Sequence, residues 1–426
     1  MMRRGLLVLL VLALGGVANA APNAPVPPVA PSAPRQTEAG VMSSNVEHIT
    51  TVNLEQGTAT GAKVVGDRLY VTSWKSFSIY DISKPAAPTL LSRTPLGFAF
   101  ENENVSTDGR IMLFAEQVPV DRLHVWDVRN GENPVEISTL TLGGTHTATC
   151  ALRCRWSYGS YDFVGPDGAM TGGQLVDLRN PAKPKDAGHY NTKLPAKATH
   201  DVVEIARGRL LTASKPIQLL DVRDNPRKPK LLATGTNTAR RMHSAVWPQR
   251  GEDRFIMTTF ETNGEVRCSQ ASGEFSTWDT RGWRNGRKFR VVDQYRVANG
   301  TYMDGRPAAN QLGCSAHWFE EHPSFADGGM VASAFYEHGV RFLDISDRGT
   351  IREVGYFMGW GGSASAAYWV TDSILYSIDY TRGIDVLRFK RGTRRSTTAE
   401  VSPSTWSDLA SAAAIKPSQL VCRVGA

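Results

Sequence analysis

Four histidines occupy the same place in a repeated pattern of this 426-residue chain. They lie in the segments GTHTATC, ATHDVVE, RMHSAVW and SAHWFEE, and they are His146, His200, His243 and His317, four of the nine histidines present. Imidazole binds Zn, Cu, Fe and Ni, and open positions on the metal admit water or a substrate. The pattern therefore predicts a transition-metal site, with Cu, Fe or Zn as the expected ion.

Carboxylates recur near these histidines. Glu116, Glu261 and Glu337 end the segments FAE, TTFE and AFYE, which we interpret as the second strands of three repeat units. A second strand returns to the end where the first strand began. These glutamates are therefore predicted at the same mouth as the histidines, where they could orient an imidazole or act as general bases.

Four further residues are candidates for the same site. Glu101 and Glu103 stand where the neighbouring repeat units carry histidine, and either could complete the ring. Asp201 and His338 are weaker additions, because each only adjoins one of the residues already named.

A run of apolar residues that ends in an aspartate and a turn recurs six times and defines the repeat unit. The phrases are FSIYDISKPAAP, LHVWDVRNGENP, GQLVDLRNPAKP, IQLLDVRDNPRKP, FSTWDTRGWRNG and VRFLDISDRGT. Their aspartates are Asp81, Asp127, Asp177, Asp221, Asp279 and Asp344, at intervals of 46, 50, 44, 58 and 65 residues. The shorter intervals match the period of a propeller blade, and the residues before each aspartate are typical of strands. Each aspartate is predicted to cap its turn.

The expected fold is all-β, a seven-bladed β-propeller over residues 45–390. The first strand of each blade lines the central channel, so histidines from blades three to six would converge there. The last unit, SASAAYWVTDSILYSIDYTRGIDVLRFK, has three strands, and Arg388 replaces the turn aspartate. We expect the segment HITTVNL, residues 48–54, to supply the fourth strand and close the ring.

These phrases resemble the LVIVD-repeat family of propellers, in which a Leu-Val-Ile-Val-Asp-like strand precedes a Pro-rich turn. LVDLRNPAKP, LLDVRDNPRKP and IYDISKPAAP are the most specific pieces, and the resemblance covers about residues 45–390. The resemblance implies the propeller fold but no particular function, because propellers as a class perform many functions. The histidine set alone is similar to that of carotenoid oxygenases, whose seven-bladed propeller holds iron on four histidines, and this likeness implies oxygenase chemistry.

Two other interpretations of the histidines stay open. The pairs Trp126-Asp127 and Trp278-Asp279 look like WD repeats, in which a histidine near the first strand hydrogen-bonds within its own blade and binds nothing. Alternatively, Cys150 and Cys314 lie four residues after His146 and three before His317, and thiolates near imidazoles favour Cu or Zn.

The chain is predicted to be exported to an oxidising compartment, which favours disulfides among its five cysteines. Cys150 and Cys154 can pair if CALRC turns, because an extended segment would hold them too far apart. Cys268 and Cys314 are the second expected pair, and Cys422 is left over.

The two ends of the chain are expected to lie outside the propeller. Residues 1–20 combine two arginines, a short apolar run and Ala18-Asn19-Ala20, which is typical of a cleaved signal peptide. Residues 21–44 are interpreted as a Pro- and Ala-rich linker, and residues 391–426 as a tail. The location predicted is the periplasm or the outside of the cell.

The remaining features narrow the function. The net charge of +7 is spread along the chain, so no nucleic-acid partner is expected, and no membrane span is expected because no apolar run approaches the roughly 18 to 20 residues required. Phosphate-binding loops, nucleophile elbows and HExxH helices do not occur in the sequence. We therefore predict an exported, monomeric, metal-dependent oxidase or oxygenase acting on a small molecule. The alternative is a non-catalytic scaffold that binds an envelope protein or glycan.

Overall fold

The computed structural model describes residues 35–54, 58–97, 102–116, 122–142, 146–160, 173–190, 197–236, 242–262, 267–268, 273–297, 300–301 and 312–390. The predicted signal peptide, most of the linker, Glu101 and the tail lie outside these ranges. Within them the chain forms seven antiparallel blades in a ring, which confirms the predicted propeller. No helix of the described ranges is long and apolar enough to cross a membrane.

Three strands precede the first blade, and the first three blades then follow the chain in order. The preceding strands are β1 (Arg35–Gln36), β2 (Gly40–Met42) and β3 (Val46–Val52). Blade one contains β4 (Ala59–Val65), β5 (Arg68–Ser73), β6 (Ser76–Asp81) and β7 (Thr89–Pro95). Blade two contains β8 (Ser106–Thr107), β9 (Ile111–Glu116), β10 (Arg122–Asp127) and β11 (Val135–Thr141). Blade three contains β12 (Ala148–Ala151), β13 (Trp156–Gly159), β14 (Gly173–Asp177) and β15 (Lys185–Tyr190).

Blades four and five keep the same order, and blade five adds two short helical segments. Blade four contains β16 (Lys197–Ala206), β17 (Arg209–Lys215), β18 (Gln218–Asp221) and β19 (Lys230–Thr234). Blade five contains β20 (Ser244–Val246), β21 (Phe255–Thr259), β23 (Phe275–Asp279) and β24 (Arg290–Tyr295). A helical turn, α1 (Pro248–Gly251), and a 3₁₀ helix (Trp283–Asn285) lie between its strands. A separate two-stranded sheet pairs β22 (Arg267–Cys268) with β25 (Gly300–Thr301).

Blade six is wider than predicted. Its strands are β26 (Phe319–Glu321), β27 (Gly329–Ala334), β28 (Val340–Ile345) and β29 (Ile351–Gly359). Strand β2 pairs antiparallel with the outer strand β29, and β1 pairs with β2. Residues 40–42 therefore belong to the propeller and not to the linker of residues 21–44, because Val41 and Met42 are completely buried.

Blade seven is closed by the N-terminal segment, as the sequence predicts. It contains β30 (Ala364–Trp369), β31 (Ile374–Asp379) and β32 (Gly383–Phe389), and β3 pairs antiparallel with β32. The closing strand spans residues 46–52, so it starts two residues earlier than expected. Pairing strands from opposite ends of the propeller removes the free edge of the last blade.

Five of the six repeated aspartates cap turns, as predicted, whereas the sixth, Asp344, pairs with Arg352 at 3.4 Å. In five of the phrases the carboxylate accepts the backbone N–H of the residue two positions later, at 2.7–3.1 Å, and these aspartates are Asp81, Asp127, Asp177, Asp221 and Asp279. Four of them also pair with the arginine at that position, namely Arg129, Arg179, Arg223 and Arg281. The aspartate thus fixes the turn between the third and fourth strands.

Hydrogen bonds between innermost segments link neighbouring blades around the axis. They run from Thr60 to Asn102 (3.4 Å), Cys150 to Ser106 (2.6 Å), Thr147 to His200 (3.2 Å), Ser244 to His317 (3.5 Å) and Ser365 to Thr60 (2.5 Å). Each bond crosses a blade boundary, so the start of each first strand is positioned by the adjacent blade.

A buried ion pair holds the closing strand. Arg382 donates two hydrogen bonds to Asp385, at 2.8 and 2.7 Å, and His48 and Thr51 of β3 contact the same carboxylate at 3.0 and 2.6 Å. Burial raises the pKa of Asp385, but the hydrogen bonds from Arg382 and His48 outweigh it, so the pKa lies below the usual 3.8.

Replacing Asp385 with Ala should destabilise the protein by about 3 kcal/mol at neutral pH, because the guanidinium of Arg382 then loses its buried carboxylate partner. Since the folded pKa is depressed, this contribution is present above pH 3.8 and disappears as the pH falls through the folded value. Chemical denaturation at neutral and acidic pH measures the difference. Asp372→Ala, an exposed position of the same blade, is the matched control and should change the stability little.

Candidate functional site

The four predicted histidines lie at the starts of the innermost strands. His200 is in β16, whereas His146, His243 and His317 come one or two residues before β12, β20 and β26. The backbone of His243 and of His317 still pairs with the second strand, donating to Thr259 at 2.8 Å and Ala334 at 2.9 Å. The repeat therefore delivers one imidazole per blade to the same end of the channel.

The imidazoles form one buried row. The ring centres lie 4.8 Å apart for His146 and His200, 4.0 Å for His200 and His243, and 4.3 Å for His243 and His317. The last three residues are at most 2% exposed. Such close packing of ionisable rings disfavours charging all of them together.

Two of the rings are oriented by carbonyl groups of the following blade. Nδ1 of His200 donates to the carbonyl of His243 at 2.9 Å, and Nδ1 of His317 donates to the carbonyl of Ser365 at 2.6 Å. A carbonyl can only accept, so Nδ1 carries the proton in each ring. These bonds cross between blades, unlike the bond within one blade expected for WD-type histidines.

Glu103 of blade two reaches the histidines of blades five and six. Its carboxylate oxygens lie 3.2 Å from Nε2 of His243 and 3.3 Å from Nε2 of His317. Trp318 donates its indole N–H to the same carboxylate at 2.9 Å. The two histidine contacts are within ion-pair distance but are not aligned as hydrogen bonds, so both Nε2 atoms remain without a hydrogen-bond partner, as does Nδ1 of His243.

Glu261 approaches the same atoms from the second strand of blade five. It lies 3.6 Å from Nε2 of His243, and the hydroxyl of Tyr336 donates a short hydrogen bond to its other oxygen. The Tyr336 ring packs 4.7 Å from that of His317. Glu261 is the partly exposed member, with a side chain 13% accessible.

These contacts define two overlapping groups able to hold a metal. One consists of Glu103, His200 and His243, and the other of His243, Glu261 and His317. In each group the possible ligand atoms lie within 4.8 Å of one another. We call the five residues together the axial cluster.

Charge coupling sets the protonation of the axial cluster. Burial opposes charge on Glu103, yet His317 and His243 overcome it and hold its pKa well below the usual value. Burial likewise opposes the charge on His317, but Glu103 raises the pKa of that imidazole to about 9. Burial and the neighbouring imidazoles lower the pKa of His200 and of His243. The negative charge of the Glu103 carboxylate is thus matched by the positive charge of the His317 imidazolium.

The other predicted site residues lie elsewhere. His146 adjoins His200 but belongs to neither group. Glu116 binds His124 at 2.8 Å, so this carboxylate is engaged outside the axial cluster. Glu337 accepts the backbone N–H groups of Leu312 and Gly313, at 3.4 and 2.5 Å.

Burial shifts the pKa values of three of these flanking candidates. It raises the pKa of Glu337 to about 7 and that of Asp201 to about 7, and it lowers the pKa of His338 to about 3. Asn104 donates to Asp201 at 2.5 Å. None of the three belongs to the metal-capable groups found in the described ranges.

Two residues of the site were missed by sequence reasoning. Trp318 and Tyr336 directly adjoin His317 and Glu337 in the chain, yet aromatic residues at such positions are common in propeller cores. Their hydrogen bonds to Glu103 and Glu261 depend on contacts across blades, which no local pattern encodes.

The cysteines do not supply metal ligands. Cys150 and Cys154 form the predicted disulfide, in which residues 152–154 all have positive φ values, so CALRC turns. Cys314 is also disulfide-bonded, and its partner is not among the described side chains. The pairing of Cys314 with Cys268 therefore stays a prediction, and thiolate ligation by Cys150 or Cys314 is wrong.

Comparison with known proteins identifies the repeat. Residues 56–94 match the family model for the LVIVD repeat, and they span blade one with its IYDISKPAAP phrase. The protein is a seven-bladed propeller that carries an LVIVD repeat in blade one. No curated protein matches it.

Solved structures support the propeller fold. The crystal structure of the RRP9 WD40 repeats matches 85% of this chain and 100% of its own, with a TM-score of 0.55 and 10% sequence identity. In all, 1059 chains of solved structures are similar. At such low identity the likeness concerns the architecture alone.

Replacing Glu103 with Gln should lower the pKa of His317 from about 9, because burial then opposes the imidazolium charge with only Glu261 and the Ser365 carbonyl still favouring it. A pH titration of the His317 ring by NMR, in metal-free protein, measures the change. Glu116→Gln is the control and should leave the His317 titration in place. An unchanged pKa in the Glu103 variant would contradict the assigned charge balance.

Proposed function

We propose that this LVIVD-repeat propeller is a metal-dependent oxidoreductase that acts on a small molecule at the axial cluster. The observation that carries the proposal is the pair of buried Nε2 atoms on His243 and His317, which have no hydrogen-bond partner and face two carboxylates. Buried polar atoms are nearly always paired, and a bound ion is one explanation of an unpaired atom.

The donor set fits a divalent first-row metal. His243, His317 and Glu261 provide two imidazoles and one carboxylate, the combination found in non-haem iron oxygenases. Disulfide bonding of the neighbouring cysteines leaves nitrogen and oxygen ligands, which disfavours soft ions such as Cu(I). We therefore assign Fe(II) to this group.

The surrounding residues would support such an ion. The Ser365 carbonyl keeps Nδ1 of His317 protonated, so Nε2 is the nitrogen that would bind the metal after giving up its proton, and Tyr336 orients Glu261 through its hydroxyl. Glu103 supplies a second carboxylate, held by Trp318, that balances the metal charge or accepts a proton. Bound iron would supply the activation of dioxygen for oxidation of the substrate.

Export of the protein is part of the same proposal. The disulfides at Cys150–Cys154 and at Cys314 support an oxidising compartment. The predicted signal sequence of residues 1–20 agrees with that location.

The purified protein should contain about one iron per chain, and His243→Ala should lose it, because His243 belongs to both groups. Elemental analysis and calorimetric titration of metal-free protein with Fe(II) and Zn(II) measure this. His317→Ala and Glu261→Gln should weaken binding about 100-fold, whereas His189→Ala, at an exposed histidine of blade three, is the matched control and should not.

The outcomes separate the alternatives. A protein that holds only zinc would keep the metal site but overturn the oxidoreductase. Weak binding in His200→Ala with tight binding in His317→Ala would move the metal to the group containing Glu103. Absence of metal from both the natural protein and His243→Ala, with equal stability, would favour the non-catalytic scaffold for an envelope protein or glycan.

A further inference from the structure

The propeller has a second end, opposite the axial cluster. In an antiparallel blade, the turn between the first two strands and the turn between the last two lie at the same end. The histidines precede the first strands, so both turns lie at the far end. Contacts between blades agree, since Arg68 donates to the Arg129 carbonyl at 2.9 Å and Tyr158 to the Pro226 carbonyl at 2.7 Å.

The far-end turns of blades three to five are strongly basic. They contain eighteen Lys and Arg residues and seven Asp and Glu residues, in residues 151–156, 177–186, 206–209, 221–230, 247–254 and 279–290. The excess of eleven positive charges is larger than the net charge of +7 of the whole chain. We call these turns the basic sector.

Most of the acidic groups in the basic sector are already paired, and many cations are not. Asp177, Asp221 and Asp279 each bind the arginine of their own turn. By contrast, Lys183, Lys228 and Arg287, one in each blade, are exposed and form no ion pair within the described part of the chain. The sector therefore presents free positive charge to solvent.

Exposed apolar side chains adjoin this charge. Val291 and Val292, each 38% exposed, follow the last basic turn at the start of β24. Exposed side chains of this kind next to free cations are the combination that adsorbs to bilayer interfaces. The aromatic rings of the sector are covered, as Arg179 and Arg227 lie over Trp156 and Arg284 lies over Trp283. The sector thus offers no open ring on which a nucleic-acid base could stack.

We propose that the basic sector docks the propeller on an anionic phospholipid surface, with the axial cluster facing away from it. The charge complementarity is that of clustered lysines and arginines with lipid phosphates. Each cation at such a surface adds about a fivefold gain in affinity. The interaction is peripheral and is weakened by salt within a Debye length.

Sedimentation with vesicles tests the proposal. The chain without the predicted signal peptide, residues 21–426, should bind vesicles containing roughly 40 mol% phosphatidylglycerol and not vesicles of phosphatidylcholine alone, and binding should be lost at about 0.5 M NaCl. The triple variant Lys183→Glu, Lys228→Glu, Arg287→Glu should bind at least about 100-fold more weakly. The control triple variant Lys75→Glu, Lys84→Glu, Arg348→Glu makes the same charge change at exposed positions outside the sector and should retain binding.

Each outcome supports or contradicts docking of the basic sector on lipid. Equal loss of binding in both triple variants would assign the effect to net charge and overturn the sector. Binding to random-sequence duplex DNA as tight as to the vesicles, lost in the first variant, would make the sector a general polyanion surface and overturn the lipid assignment. Circular dichroism and metal content, measured on the same samples, separate a folding failure from lost docking and keep the test independent of the proposed enzyme.

Discussion

Closure of the ring is the constraint on which the rest of the structure depends. Residues 46–52 pair with residues 383–389, so the first and last segments of the propeller share one blade. The buried contact of Asp385 with Arg382 and His48 fixes that pairing. Without closure the blades could not hold a fixed angle to one another, and side chains from blades two, five and six would not meet on the axis.

The axial cluster uses the geometry that closure provides. Glu103 contacts two histidines more than 130 residues later in the chain, and each histidine is oriented or packed by an adjacent blade. A buried charge is costly unless it is paired, so these groups stabilise one another only while the blades stay in register. The buried Nε2 atoms of His243 and His317 form no aligned hydrogen bond although the Glu103 carboxylate lies 3.2 and 3.3 Å away, which is why they direct attention to a ligand.

The two ends of the propeller differ in chemistry for a simple structural reason. First strands begin at one end, where the repeat places histidines and carboxylates that are shielded from water. The aspartate turns lie at the other end, where lysines and arginines are free to extend into solvent. One repeat therefore produces a buried polar centre and an exposed basic surface on opposite sides of the same ring.

The sequence by itself determined the number of blades, their order, the closing strand and the place of the histidines, because each depends on a local pattern repeated at a regular interval. The turn-capping role of Asp81 and its equivalents can be predicted from the sequence, because a capped turn needs only neighbouring residues. The tertiary structure decided which carboxylates lie beside the histidines of the axial cluster. Glu103 and Glu261 lie there, whereas Glu116 binds His124. It also added residues 40–42 to blade six. These choices depend on the angle between blades and on the direction of side chains across their boundaries, which the spacing of residues along one strand does not specify.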